Sequence, residues 1–132
     1  MGQIREGLKV LIVEDERDMA AAFARLLRRM GYHPLITLSG EEALDVIDRE
    51  EPDLVLTDLR LPAVDGLTVL RHAQRGARKI PVIVCTAYIS GASRREALSA
   101  GAAVYLPKPF SAVELEAAVS RALAAGSEGD GR

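Results

Sequence analysis

The 132 residues suit one domain, long enough to bury a real core and too short for two of ordinary size. Hydrophobic residues make up 48% and charged residues 27%, which excludes a disordered chain and a membrane-embedded one. A formal net charge of −2 offers no general attraction to nucleic acid, so direct nucleic-acid binding is not expected.

Residues 1–7 form a lead-in, and the apolar stretch after them holds only six residues including Lys9, far short of a signal sequence or a membrane span. A cytoplasmic protein is expected. Short apolar runs then alternate with longer segments of helical spacing, the pattern of repeated βαβ units. The predicted strands are residues 8–13, 34–37, 54–57, 80–85 and 103–106, and the second, the least apolar, is expected at a sheet edge. After the first strand, Met19, Phe23, Leu26, Leu27 and Met30 make one apolar stripe on a helix that ends at Gly31. Ser39 with Glu42, and Ser111 with Glu114, have capping-box spacing. Their helices carry Ala43, Leu44 and Ile47, then Leu115, Ala118, Val119, Ala122 and Leu123. Asp65 and Gly66 open a third helix with Leu67 and Leu70, and residues 92–100 form a less apolar fourth. Cys85, the single cysteine, lies in an apolar strand and reads as a core residue; it excludes an intramolecular disulfide. Residues 126–132 have turn and linker composition and are expected to be a flexible tail or the start of a linker, which leaves 8–125 as the domain. Five strands alternating with five helices predict an α/β fold, a doubly wound parallel sheet with helices on both faces and all strand C-termini at one edge.

Polar residues stand at four of those ends: Glu14 and Asp15, Asp58, Thr86, and Lys108. Ligands of open α/β sheets bind at that edge. Taken singly, a carboxylate there reads as a helix cap, and a lone threonine or lysine as a solvated loop residue. Together they make chemical sense. Three carboxylates in one crevice repel one another unless a cation joins them, and hard oxygen donors suit Mg²⁺, with Mn²⁺ an acceptable substitute. A lysine pairs with an incoming anion, and a hydroxyl donates a hydrogen bond. Carboxylate nucleophile, divalent metal, lysine and hydroxyl are the parts that phosphoryl transfer needs.

The stretches VLIVEDE at 10–16, DLVLTDL at 53–59 with LPAVDG at 61–66, PVIVCTA at 81–87 and YLPKPF at 105–110 resemble the receiver domain of bacterial response regulators. The resemblance implies a flavodoxin-like strand order 2-1-3-4-5, in which a member of that family is a known example. By position it implies Asp58 as phosphoacceptor, with Glu14, Asp15 and Asp58 holding Mg²⁺ together with the main-chain carbonyl of Arg60. It further implies Lys108 against the phosphoryl oxygens, Thr86 closing onto them, and Tyr105 as a switch that turns inward when Thr86 moves. A cis Lys108–Pro109 bond follows from the same resemblance, and small Ala87 leaves a phosphodonor room. Glu14 departs from the second aspartate that many relatives carry.

The implied function is a phosphorylation-dependent switch of a two-component system rather than a turnover enzyme. Its phosphoryl group would come from a sensor histidine kinase or a histidine phosphotransfer protein. The signal would leave through the fourth helix, fifth strand and fifth helix to an effector domain or protein, with homodimerisation on phosphorylation a further expectation. His33 and His72 read as solvated surface residues, and so do Arg94 and Arg95. A small Mg²⁺-dependent aspartate-nucleophile phosphohydrolase is the enzymatic alternative, but it calls for an Asp-x-Asp nucleophile after the first strand. A non-phosphorylated pseudo-receiver leaves the acidic set unexplained. Arg60 and Tyr88, two residues after Asp58 and Thr86, are expected at the pocket mouth, either stacked as a lid or separate and exposed.

Overall fold

The structure, a computed structural model, describes residues 7–130, with side chains to residue 125. Its elements alternate strictly: β1 (Lys9–Val13), α1 (Arg17–Arg29), β2 (His33–Thr37), α2 (Gly40–Glu50), β3 (Leu54–Asp58), α3 (Gly66–Arg75), β4 (Val82–Thr86), α4 (Gly91–Ser99), β5 (Val104–Pro107) and α5 (Ala112–Asp130). The sheet is wholly parallel in the order β2-β1-β3-β4-β5, as expected, with β2 at one edge.

Side chains of a strand alternate between faces, and here that alternation divides the core in two. Leu11, Val13, Val55, Val82 and Val84 point toward α2, α3 and α4, where they meet Ala43, Ile47, Val69, Leu70 and Ala97. Val10, Ile12, Leu54, Leu56, Ile83 and Cys85 face α1 and α5, where they meet Phe23, Leu27, Leu115 and Val119. Both faces being covered explains why β1, β3 and β4 read as nearly continuous Val, Leu and Ile. Edge strand β2 tolerates Pro34, which has no N–H for a ladder on both sides.

The caps follow the sequence with one change. Ser111 and Glu114 make the full reciprocal box, at 2.8 and 3.0 Å. Ser39 Oγ accepts from Glu42 N as expected, but the Glu42 carboxylate reaches one residue further back, to Leu38 N at 3.0 Å. Asp65 caps α3 by accepting from Thr68 N, and Ser90 caps α4 by accepting from Ser93 N.

Helix α5 continues through Asp130, past Gly126, where the flexible tail or start of a linker was expected to begin. Once a helix is nucleated, each added residue gains a hydrogen bond at little cost, so turn-forming composition alone does not end it. The lead-in before Gly7, and Gly131 and Arg132, lie outside the described residues. No helix among the described residues is long and apolar enough to cross a membrane.

Candidate phosphoacceptor pocket

Strand register brings the polar residues together. Val13 pairs with Thr57, Asp58 with Cys85, and Thr86 with Pro107, so Glu14, Asp58, Thr86 and Lys108 emerge side by side where the strands stop. Two glycines hold the floor. A Cβ on Gly66 would lie 2.1 Å from the Asp58 carbonyl oxygen, and one on Gly40 would lie 2.2 Å from the Val64 carbonyl oxygen. Only glycine lets the starts of α3 and α2 approach so closely. The loop from Asp58 to Gly66 is thereby pulled tight, and Ala63 within it takes a left-handed conformation at φ 60°.

The Lys108 ammonium donates to Glu14 Oε1 at 2.7 Å and to Asp58 Oδ2 at 2.8 Å. Asp58 Oδ1 accepts from Arg60 N at 3.0 Å, and Glu14 Oε2 from Glu16 N at 3.1 Å. The Lys108–Pro109 peptide is cis. Carboxylate oxygens of Glu14, Asp15 and Asp58 lie within 4.8 Å of one another, with Glu14 and Asp58 buried and Asp15 exposed. This is a set of hard oxygen donors with one open side, the chemistry that suits Mg²⁺. Arg60, whose N–H already binds Asp58, has its main chain beside the same carboxylate.

Burial acts most strongly on Glu14 and raises its carboxyl above the ordinary 4.5, against the lowering effects of the Lys108 hydrogen bond and the Glu16 N–H. For Lys108, burial disfavours the ammonium, but the hydrogen bonds to Asp58 and Glu14 together prevail and raise it above 10.5. The two shifts pull on one ion pair in opposite senses. A contact of 2.7 Å to an ammonium suits an ionised Glu14, so near neutrality the geometry favours the charged pair. Burial pushes the Cys85 thiol up to about 12, consistent with an inert core residue.

Thr86 is fully buried, and its Oγ1 accepts from Tyr88 N at 2.9 Å. The Tyr105 ring is already inside, 7% exposed, with its hydroxyl 2.6 Å from Ser93 Oγ. At the mouth, the Arg60 guanidinium carbon sits 4.8 Å from the centroid of the Tyr88 ring, the stacked arrangement of the two alternatives. Beside Lys108 and Ala87 opens a cleft of about 350 Å³ lined by Met19, Phe23, Pro109 and Phe110, the two phenyl rings stacked at 5.0 Å.

His33 is exposed, as expected, and begins β2 rather than preceding it. His72 differs: it is half-buried and its Nε2 lies 2.8 Å from Asp48 Oδ1, a link between α3 and α2 that a single sequence could not align. Ser93 gave no signal in the sequence beyond its place in a predicted helix. Only the fold shows that its side chain reaches Tyr105 on β5.

A family model described as the response regulator receiver domain matches residues 10–120. The chain is 37% identical over 124 residues to the response regulator MprA of Mycolicibacterium vanbaalenii, covering 94% of this chain and 54% of that protein. It is 39% identical over 108 residues to the response regulator MprA of Mycobacterium avium, covering 82% of this chain and 47% of the relative. The chain thus spans about half the length of these curated relatives. Among solved structures, a CheY-like response regulator receiver domain protein from Methanospirillum hungatei superposes with a TM-score of 0.86 at 27% identity, over 93% of this chain and 98% of that one. The receiver domain of sensor histidine kinase PA1611 from Pseudomonas aeruginosa, which holds a magnesium ion in its active-site cleft, superposes with a TM-score of 0.81 at 32% identity, over 89% of this chain and 98% of that one. Acidic pocket, strand order and relatives agree: this chain belongs to the response-regulator receiver family, the phosphoacceptor switches of two-component signalling.

Proposed function

We propose that Asp58 is the phosphoacceptor, and that it takes its phosphoryl group from a phosphohistidine on a sensor histidine kinase or a histidine phosphotransfer protein. In that transfer a carboxylate oxygen of Asp58 attacks phosphorus, the P–N bond breaks, and the imidazole nitrogen leaves with the bonding pair. The observation that carries the reading is the Lys108 ammonium bound to both Asp58 and Glu14, with Asp15 alongside. Glu14, Asp15, Asp58 and the Arg60 carbonyl would hold Mg²⁺, or Mn²⁺ in its place, which supplies neutralisation of phosphoryl charge. Lys108 places positive charge where the phosphoryl oxygens arrive, and Thr86 supplies the hydroxyl that reads their arrival.

The apolar cleft lined by Met19, Phe23 and Phe110 opens directly beside Lys108, and we assign it to the donor protein. Residues 8–125 act as the switch. The signal leaves through α4, β5 and α5, toward an effector domain or protein or a second phosphorylated copy, without direct contact to nucleic acid. The domain is consumed and regenerated rather than turning over substrate, and it works in the cytoplasm.

Intact-mass measurement after incubation with acetyl phosphate and Mg²⁺ tests the reading. One acid-stable, base-labile phosphoryl group is expected on the wild-type chain and none on Asp58→Asn. A phosphate that persists in the variant overturns the assignment of Asp58.

A further inference from the structure

Ser93, in the first turn of α4, stands between the loop that follows β4 and the side chain of Tyr105 on β5. Its Oγ lies 2.6 Å from Tyr105 Oη, 3.2 Å from the Ser90 carbonyl oxygen and 3.4 Å from the Tyr88 carbonyl oxygen. A serine hydroxyl has one proton, and carbonyl oxygens only accept. The arrangement that satisfies every group therefore has one direction. Tyr105 donates its phenolic proton to Ser93 Oγ, and Ser93 donates its own to a carbonyl of the loop between β4 and α4.

That loop starts at Thr86, whose Oγ1 accepts from the N–H of Tyr88, the same residue whose carbonyl faces Ser93. Thr86, the Tyr88 main chain, Ser93 and Tyr105 thus form one hydrogen-bonded series from the pocket to β5. Both Ser93-to-carbonyl distances exceed the usual 2.7–2.8 Å of a hydroxyl hydrogen bond. A small movement of the loop shortens one contact and lengthens the other, and the Tyr105 hydroxyl follows because its acceptor moves. The Tyr105 hydroxyl makes no second hydrogen bond among the described residues, and the guanidinium carbon of exposed Arg94 lies 6.0 Å from the ring centroid.

Resting on the pocket assignment above, we propose that Ser93 is the positioning residue that couples the loop after Thr86 to the side chain of Tyr105. A helix back-bond from Ser93 to Ser90 would by itself serve only the local turn. The coupling role makes a further demand, that Tyr105 responds to the pocket through this hydroxyl.

The test uses the full chain labelled with 3-fluorotyrosine, its three tyrosine resonances assigned by Tyr→Phe variants, before and after acetyl phosphate with Mg²⁺. In the wild type the Tyr105 resonance is expected to shift on phosphorylation. In Ser93→Ala the phosphoryl group should be gained as before, while the ratio of buried to exposed Tyr105 falls about fivefold, the size of one net hydrogen bond, and its response to phosphorylation is lost. Ser93→Thr, which keeps the hydroxyl, should restore both. A Ser93→Ala protein whose Tyr105 resonance and response match the wild type overturns the proposal, as does failure of the threonine to rescue. Should Ser93→Ala not fold, Tyr105→Phe keeps the ring and removes the hydroxyl. Amide exchange over Val104–Pro107 should then lose its response to phosphorylation, and an unchanged response overturns the coupling. If the wild type gains no phosphate, the pocket assignment fails and the coupling is judged separately through Thr86→Ala. That substitution should move the Tyr105 resonance when Ser93 is present and leave it unmoved in Ser93→Ala; equal movement in both overturns it.

Discussion

The stacking of Arg60 on Tyr88 sets an expectation for how long a phosphoryl group on Asp58 survives. Both residues lie two positions beyond a pocket residue, and each is fixed there by its main chain, Arg60 N on Asp58 Oδ1 at 3.0 Å and Tyr88 N on Thr86 Oγ1 at 2.9 Å. Their side chains meet above the mouth at 4.8 Å, with Tyr88 62% exposed. A cation–π contact in such a wet setting is worth about 0.5–1 kcal/mol, which corresponds to a closed lid favoured over an open one by roughly two- to fivefold. Water must approach phosphorus in line with the bond to Asp58, and the prediction is that this lid lies across that path. Arg60→Ala and Tyr88→Ala should each therefore speed loss of the phosphoryl group by about two- to fivefold. The double variant should decay no faster than about the quicker single, because either change opens the same lid. The assay is decay of the phosphorylated fraction by intact mass, in excess Mg²⁺ after removal of the donor. Unchanged or slower decay in the single variants, or rates that multiply in the double, would refute the reasoning.

Mg²⁺ should raise the melting temperature, since free metal at about ten times Kd stabilises the folded state by about 1.4 kcal/mol; calorimetry that shows the same rise in Asp15→Asn would place the ion elsewhere. The upward shift of Glu14 means that the folded chain holds a proton more tightly than the unfolded one. Its contribution to metal-free stability is therefore present below 4.5 and is lost as pH rises through the higher folded value. Denaturant titrations across that window should show stability falling with pH, and Glu14→Gln should flatten the slope. Ala63, exposed at φ 60°, carries a left-handed backbone that disfavours a Cβ. Ala63→Gly should stabilise the domain by about 0.5–1 kcal/mol after the extra freedom of the unfolded glycine is subtracted, read as a higher melting midpoint.

Hydropathy alternation was enough to predict the sheet, because strands covered on both faces must be apolar throughout and helices covered on one face must be striped. Glu14, Asp58, Thr86 and Lys108 were legible for a related reason: each is a polar residue at or just past the carboxyl end of such a strand, and parallel register does the rest. What a sequence does not carry is contact between elements at unrelated spacing. The Ser93–Tyr105 and His72–Asp48 hydrogen bonds depend on how helices are rotated and seated, which periodicity leaves open. The reach of α5 past Gly126 was hidden by composition, since serine and glycine there resemble a linker.

Lys108 and Glu14, joined at 2.7 Å, are 94 positions apart. Contacts of such long range form only after the intervening chain is organised. Asp58 leaves the ribosome well before Lys108, so a growing chain carries this carboxylate while its ammonium partner is still unmade. The charged pocket is thus complete only once the last strand is in register, and a chain that stops short of it leaves Asp58 and Glu14 without the ammonium between them.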